Sequence, residues 1–255
     1  MNTLNLIKKE GYTIVQLKRG KVNAINPEMV KDVRETFKNL EADDSVKGVI
    51  LTGTPHFLSA GLDVIELYQL DRPSMHEFFI AFGSMHIEMA KFSKPFVCAI
   101  TGHSPAGGTV LAITADYRVM ADNPKYGIGL NEVAVSVQIS QNLIDGYSFW
   151  LGEGKASEAV LDGKLFSPQG ALDAGLVGEI CPLEEVMERA ENKMKHYLKA
   201  DPDIFKNSKA KLRRRWWDKL NTNGDADLHQ SEAVWWKPEV RARMKGLIDS
   251  LTKKK

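Results

Sequence analysis

Apolar positions along the first two thirds of the chain fall into short continuous runs separated by longer mixed segments. LNLIKKEGYTIVQLKR, residues 4–19, predicts two short strands that turn at Gly11. VKGVILTG (46–53), KPFVCAITG (94–102) and YRVMAD (117–122) are apolar runs of the kind expected for strands covered on both faces.

Between these runs the apolar residues recur at helical spacing. Residues 26–41 predict a helix, since Asn26 can cap it and Pro27 suits its first position. A second helix is expected over about 73–92, and AGGTVLAITAD predicts another that begins at a pair of glycines. The alternation of strands and helices predicts an α/β domain with right-handed crossovers.

The pattern changes from about residue 183, where the chain becomes almost entirely helical. We therefore predict two parts, an α/β core over residues 1–195 and a helical C-terminal region over residues 196–255.

Composition narrows the class of protein. A net charge of +1 over 255 residues does not favour nucleic acid or an acidic membrane as a partner. Cys98 and Cys181 are far apart in apolar surroundings, which predicts buried free thiols in a reducing compartment. We expect a cytoplasmic protein, because no apolar run is long enough to span a bilayer and the first residues do not resemble a signal peptide.

Two turns rich in small residues follow predicted strands. The first is HFLSAGLD (56–63), and the second is TGHSPAGGTVLAI (101–113), where a helix begins at Gly107. The first N–H groups of a helix have no partner within it, so a carbonyl oxygen could dock on the Gly107 N–H. Together with the Ser59 N–H this predicts an oxyanion hole. The alternative is that both turns are small only for packing.

A single acid stands out in NPKYGIGLNEVAVSVQIS (123–140). Glu132 is flanked by Leu130, Val133 and Val135, and apolar surroundings raise the pKa of a carboxyl group into the range useful for proton transfer. The alternative is an exposed glutamate on a loop.

FLSAGLD, GHSPAGGTVLAITADYRVM and YGIGLNE together resemble the crotonase (enoyl-CoA hydratase/isomerase) superfamily, over roughly residues 5–200. The resemblance implies a core of ββα turns arranged as a spiral, a helical C-terminal trimerisation region, and homotrimers or hexamers. It implies acyl-CoA thioesters as substrates, with coenzyme A as part of the substrate, no separate cofactor and no metal. By position, the donors to the thioester oxygen would be Ser59 and Gly107.

The same motifs discriminate within the superfamily. Hydratases carry two glutamates, and at the first of these positions this chain has Val110. GLNE, SPAGG and KRGKVNAIN are more similar to the mitochondrial-type Δ3,Δ2-enoyl-CoA isomerases. The resemblance therefore implies an isomerase of fatty acid β-oxidation in which Glu132 alone moves the proton. Another activity of the superfamily (hydratase, dehalogenase or decarboxylase) and an acyl-CoA-binding protein without catalysis are the alternatives.

Further residues follow from the same resemblance. Those expected to contact the substrate are Lys21, Val22, Ala24, Ala60, Gly61, Leu62, Asp63, Gly108 and Asn131. Asp63, Glu66 and Asp145 are candidates for a second acid, although a structural role is expected for each. Phe78, Phe79, Phe82 and Met85 line either an acyl tunnel or the core.

A basic and aromatic segment, KAKLRRRWWDKL (209–220), offers one rival function. Such a mixture can bind nucleic acid through phosphate contacts and base stacking. At helical spacing, however, Leu212, Trp216 and Leu220 share one face, which we expect to be buried, and the arginines are left for solvent, CoA phosphates or another subunit. Nucleic acid is therefore not expected as a partner.

Overall fold

A computed structural model describes residues 2–220 and 224–252 of the chain. Its strands are β1 (Leu4–Lys9), β2 (Tyr12–Leu17), β3 (Gly48–Thr52), β4 (His56–Phe57), β5 (Phe96–Ile100), β6 (Gly102–Pro105), β7 (Tyr117–Ala121), β8 (Ile128–Gly129) and β9 (Glu179–Cys181). Its α-helices are α1 (Pro27–Ala42), α2 (Val64–Leu67), α3 (Arg72–Ala90), α4 (Gly107–Ala112), α5 (Gln141–Leu151), α6 (Glu153–Leu161), α7 (Pro168–Asp173), α8 (Val186–Tyr197), α9 (Pro202–Trp217), α10 (Gly224–Trp235) and α11 (Pro238–Thr252).

The larger sheet has the order β1-β2-β3-β5-β7-β9, and every neighbouring pair except β1–β2 is parallel. All five residues of β3 and of β5 are buried, as expected for parallel strands with helices on both faces. These strands were predicted from their continuous apolar runs, and the α/β fold class is confirmed.

The smaller sheet has the order β4-β6-β8, with parallel pairs His56↔Gly102 and Ser104↔Ile128. The sequence did not predict it, because strands of two to four residues are too short to show a periodicity. Its three strands run in one direction, so the segments that follow them leave at the same edge.

Local signals set the start of α1 as predicted. The Asn26 side chain accepts a hydrogen bond from the Met29 N–H, and Pro27 occupies the first helical position. The helix ends at Ala42, one residue beyond its predicted end.

The helical C-terminal region is confirmed, but the buried face of α9 differs from the prediction. Trp216 and Leu220 are buried, whereas Leu212 is 76% exposed. Lys209 and Arg213 take the buried face instead, because both pair with Asp116 at 2.8 Å. The expectation that Leu212 is buried was therefore wrong. The expectation that the arginines are left for solvent, CoA phosphates or another subunit was wrong for Arg213, whereas Arg214 and Arg215 are exposed.

Cys98 and Cys181 are free and buried, as predicted. In the described part of the chain, no helix combines the length and apolar character that crossing a membrane requires. The compartment stays a prediction.

Candidate active site

The three strands of the smaller sheet carry the site. Residues 58–63 follow β4, the turn to α4 follows β6, and Asn131 and Glu132 follow β8. Because β4, β6 and β8 are parallel neighbours, these three segments emerge side by side. The motifs that are far apart in the sequence therefore meet at one edge.

The first two turns touch each other directly. A Cβ added to Gly108 would lie 2.7 Å from the Ser59 carbonyl oxygen, and one added to Gly107 would lie 3.3 Å from the Gly61 Cα. Gly61 also has a φ of +88°, a conformation that favours glycine. Close packing of the two turns is thus one physical reason for their small residues, in line with the alternative considered from the sequence.

Ser59 lies behind this contact. It is 0% exposed, and its hydroxyl donates to the Asn23 carbonyl at 2.7 Å and accepts from the Gly61 N–H at 3.1 Å. It is not on the wall of the cavity described below. The Ser59 hydroxyl therefore shapes the turn, and the role of the Ser59 N–H as an oxyanion donor stays a prediction.

The Leu62 N–H is better placed. Ile25 N–H donates to the Gly61 carbonyl and Asp63 N–H donates to the Ile25 carbonyl, both at 2.8 Å, so these bonds bracket Leu62 as in a parallel bridge. In that pattern the N–H of the bracketed residue points away from the partner strand. Within the described residues it donates to no acceptor, and Leu62 lies on the cavity wall.

Gly107 provides a second free amide. It is the first residue of α4, it lines the cavity, and its N–H has no acceptor among the described residues. The preceding Ala106 has a φ of +46°, an unfavourable value for a residue with a Cβ. Strained backbone of this kind costs about 1–3 kcal/mol and is common at functional sites.

Glu132 begins a 3-10 helix, Glu132–Val135, and is 6% exposed. Its Oε2 has no hydrogen-bond partner within the described part of the chain, and neither has the Asn131 Oδ1 beside it. Burial raises the pKa of Glu132 from 4.5 to about 7. The predicted apolar environment is therefore present, and the carboxyl group is suited to accept and return a proton near neutral pH.

A cavity of about 1320 Å³ joins these elements. Of the residues predicted to act or to contact substrate, those on its wall are Lys21, Val22, Ala24, Ala60, Leu62, Asp63, Gly107, Asn131 and Glu132. Those that lie behind the wall are Ser59, Gly61 and Gly108.

The candidates for a second acid have structural partners. Arg19 donates to Asp63 and to Glu66, each at 2.7 Å, and Asp63 also caps α2 through the Glu66 N–H. Asp145 accepts from the Gln141 side chain at 3.0 Å. Neither Glu66 nor Asp145 lines the cavity.

Val110 is 1% exposed and lies one turn into α4. His86 is fully buried, and its ring faces the backbone of Val110 and of Asn142. Burial lowers the pKa of His86 from 6.5 to about 4, so the imidazole is neutral at neutral pH. Because Val110 occupies the position of the first hydratase glutamate, the chain has no carboxylate at that position.

Helix α3 divides its apolar residues between two environments. Phe79 and Phe82 line the cavity, whereas Phe78 and Met85 belong to the core. Phe82 also packs in the core, and the role of these residues in an acyl tunnel stays a prediction.

Helices α10 and α11 complete the cavity wall, which the sequence did not predict. Leu228 of α10 and Met244 and Leu247 of α11 face it. The His76 Nδ1 contacts the Glu232 carboxylate at 2.8 Å, and this pair ties α10 to α3. The boundary between residues 195 and 196 and the trimerisation role of residues 196–255, part of which lies outside the described residues, stay predictions.

A family profile described as enoyl-CoA hydratase/isomerase matches residues 8–255. "Enoyl-CoA delta isomerase 1, mitochondrial" of Mus musculus is 34% identical over 247 residues, 96% of this chain and 85% of that protein. Its Rattus norvegicus counterpart is 32% identical over 254 residues, 98% of this chain and 88% of that protein. "Probable enoyl-CoA hydratase EchA17" of Mycobacterium tuberculosis is 28% identical over 200 residues, 78% of this chain and 76% of that protein. Among solved structures, human mitochondrial delta3-delta2-enoyl-CoA isomerase superposes with a TM-score of 0.94 at 28% identity, covering 99% of both chains.

Proposed function

The chain belongs to the enoyl-CoA hydratase/isomerase family, and from this premise we propose that it is a Δ3,Δ2-enoyl-CoA isomerase of fatty acid β-oxidation. The observation that carries the proposal is the state of the carboxylates on the cavity wall. Within the described residues these are Asp63, Glu132, Asp225 and Asp227. Asp63 pairs with Arg19, Asp227 accepts from the Gln141 N–H, and Asp225 is exposed. Glu132 alone is buried with an oxygen lacking a partner.

One carboxylate is enough to move a double bond. The ionised Glu132 takes a proton from C2 of a 3-enoyl thioester, and the electron pair passes through C1 to the thioester oxygen as a dienolate forms. The protonated Glu132 then returns the same proton to C4, which leaves the double bond between C2 and C3. Atoms and electrons balance without a co-reactant. Hydration would in addition require water to be activated, a role that a second carboxylate serves and that Val110 cannot.

We assign the stabilisation of the dienolate oxygen to the backbone N–H groups of Leu62 and Gly107. Both residues line the cavity, and in the described structure neither amide has an acceptor. Removal of one such donor typically costs about 2.7–4 kcal/mol of transition-state stabilisation. In this assignment Leu62 takes the role of oxyanion donor that position in the motif had suggested for Ser59.

Coenzyme A is proposed to enter beside Lys21, which lies on the cavity wall together with Val22 and Ala24 and is exposed. An exposed ammonium group on the cavity wall suits the phosphates of coenzyme A, whereas the charge of Arg19 is already balanced by Asp63 and Glu66. No metal or separate cofactor is proposed.

A homotrimer or hexamer is proposed as the assembly. Val133, Leu161 and Leu165 are exposed apolar side chains, and Gly163 and Ala134 bring their segments into contact. Sedimentation equilibrium of the full chain tests this directly; a monomer at all concentrations would contradict it.

The reaction is tested with purified protein and 3-hexenoyl-CoA, by following the absorbance of the conjugated 2-enoyl thioester. We expect isomerisation at least about a hundredfold faster than hydration of 2-hexenoyl-CoA, since general acid–base groups contribute about 10²–10⁴-fold. Glu132→Gln should remove most of the turnover and keep acyl-CoA binding, and Asp225→Asn is the control that keeps both. Comparable hydration would favour a hydratase, and binding without turnover would favour an acyl-CoA-binding protein.

A further inference from the structure

Helix α3 has a gap in the wall that it presents to the cavity. Phe79, Gly83 and Ile87 follow one another at intervals of one helical turn, and all three line the cavity. A Cβ built on Gly83 would have no atom within 4 Å apart from its own helix backbone and chain neighbours. Apart from proline, glycine is the least favourable residue in a helix interior. Because no neighbouring atom would prevent a larger side chain at position 83, packing does not explain the glycine, and the open space beside Gly83 requires another explanation.

The gap and the free Gly107 amide lie on the wall of the same cavity. His86 is one turn further along α3, and its side chain faces the backbone of Val110, which is itself one turn into α4 from Gly107. One turn of helix rises about 5.4 Å. Helix α3, which carries Gly83, is therefore packed beside the helix that begins at the Gly107 amide.

The residues one helical turn on either side of the gap are apolar. Phe79 and Ile87 flank it on α3, and Leu143 of α5 and Leu228 of α10 belong to the same cavity. Chains of methylene groups gain free energy in such surroundings.

We propose that Gly83 is a specificity-determining residue, whose missing side chain leaves room for an acyl chain that extends beyond the reacting carbons. This inference rests on the proposed function, because it assigns the substrate class of the same cavity. The substrates are then 3-enoyl-CoA thioesters with medium-length or long straight chains. Short-chain substrates fit equally well but leave the gap empty.

The variant that tests this is Gly83→Leu, with Gly83→Ala as a smaller step. Gly246→Leu is the matched control, because Gly246 also lies inside a helix, its Cβ would also meet no atom within 4 Å, and it is exposed outside the cavity wall. Circular dichroism and thermal unfolding establish that all three variants fold.

We expect Gly83→Leu to lower kcat/KM for 3-dodecenoyl-CoA by about tenfold or more. Each methylene group of the acyl chain that the new side chain displaces from the cavity should lower it about fourfold. The kcat/KM for 3-hexenoyl-CoA should stay within about twofold, Gly83→Ala should give a smaller loss for the long substrate, and Gly246→Leu should change neither. Equal losses for both substrates, or no loss for either, would overturn the inference.

Calorimetric binding of saturated hexanoyl-CoA and dodecanoyl-CoA separates this inference from the proposed reaction. A loss confined to dodecanoyl-CoA supports the role of Gly83 even if the wild type isomerises no 3-enoyl-CoA, in which case the proposed function alone fails. Weaker binding of coenzyme A itself would show that the gap borders the CoA portion and would overturn the inference.

Discussion

Replacement of Glu132 by Gln should separate stability from activity, because the buried carboxylate destabilises the fold when it is ionised. Its pKa is about 7 in the folded protein and 4.5 is its ordinary value, so the folded state binds the proton more tightly than the unfolded state does. This difference corresponds to about 3 kcal/mol. The folded state is destabilised by this full amount above pH 7, where Glu132 is ionised in both the folded and the unfolded state. The destabilisation vanishes below pH 4.5, where Glu132 is protonated in both states.

Gln has nearly the same shape and carries no charge, so Glu132→Gln should be more stable than the wild type by about 3 kcal/mol at pH 8.5 and by only about 1 kcal/mol at pH 5. Urea unfolding at the two pH values measures both differences. Glu77→Gln is the control, because Glu77 is an exposed glutamate on α3 and its replacement should change stability by less than about 0.5 kcal/mol at either pH. A gain from Glu132→Gln that is the same at both pH values would refute the argument.

The same pKa predicts the pH dependence of the wild-type reaction. Glu132 must be ionised to take the C2 proton, so kcat/KM should be constant above about pH 7 and fall about tenfold per pH unit below it. The rate is measured with 3-hexenoyl-CoA between pH 5 and pH 8.5. A rate that remains constant down to pH 5 would mean that the base is a carboxylate with an ordinary pKa.

Asp116→Asn should destabilise the protein by about 3–5 kcal/mol in urea unfolding, because it leaves Lys209 and Arg213 buried without their counter-ion; a loss below about 1 kcal/mol would contradict this. His86 has a pKa of about 4 in the folded state, so its own contribution should disfavour folding by about 3 kcal/mol as the pH falls from 6.5 to 4. Over that range His86→Leu should therefore lose about 3 kcal/mol less stability than the wild type in unfolding titrations, whatever the other groups contribute. Gly83→Ala should raise the free energy of unfolding by about 0.5–1 kcal/mol, measured by urea titration, since the added methyl group meets no atom and favours the helix; destabilisation would show that the space is not free.

Features that depend on neighbouring residues in the chain could be predicted well. Asn26 and Pro27 set the start of α1 by capping and by a fixed φ, and continuous apolar runs marked β3 and β5. The surroundings of Glu132 also followed from its apolar neighbours. The smaller sheet could not be predicted, because its short strands are held by pairing with distant segments rather than by their own pattern.

The oxyanion donors are an example of residues that a sequence motif alone does not identify. The small residues of SAGLD indicate a close approach but not which amide is left free. That choice depends on Ile25, which bonds on both sides of Leu62, and on Asn23, whose carbonyl accepts from the Ser59 hydroxyl. Neither bond has a signal in residues 56–63, so position within the motif alone favoured Ser59.

Helix α9 shows how a distant charge can change which face of a helix is buried. Hydrophobic periodicity assigns a buried face from residue type, and by that rule Leu212 should be inside and Arg213 outside. Asp116, 93 residues before Lys209, reverses the assignment, because its two oxygens bind both cations and also accept from the Phe96 N–H. The paired cations can be buried at a cost that their attraction offsets, whereas an unpaired Asp116 in the same place could not be. The orientation of α9 is therefore set by β7 and its preceding turn, and no window of sequence confined to residues 202–220 contains the information that would predict it.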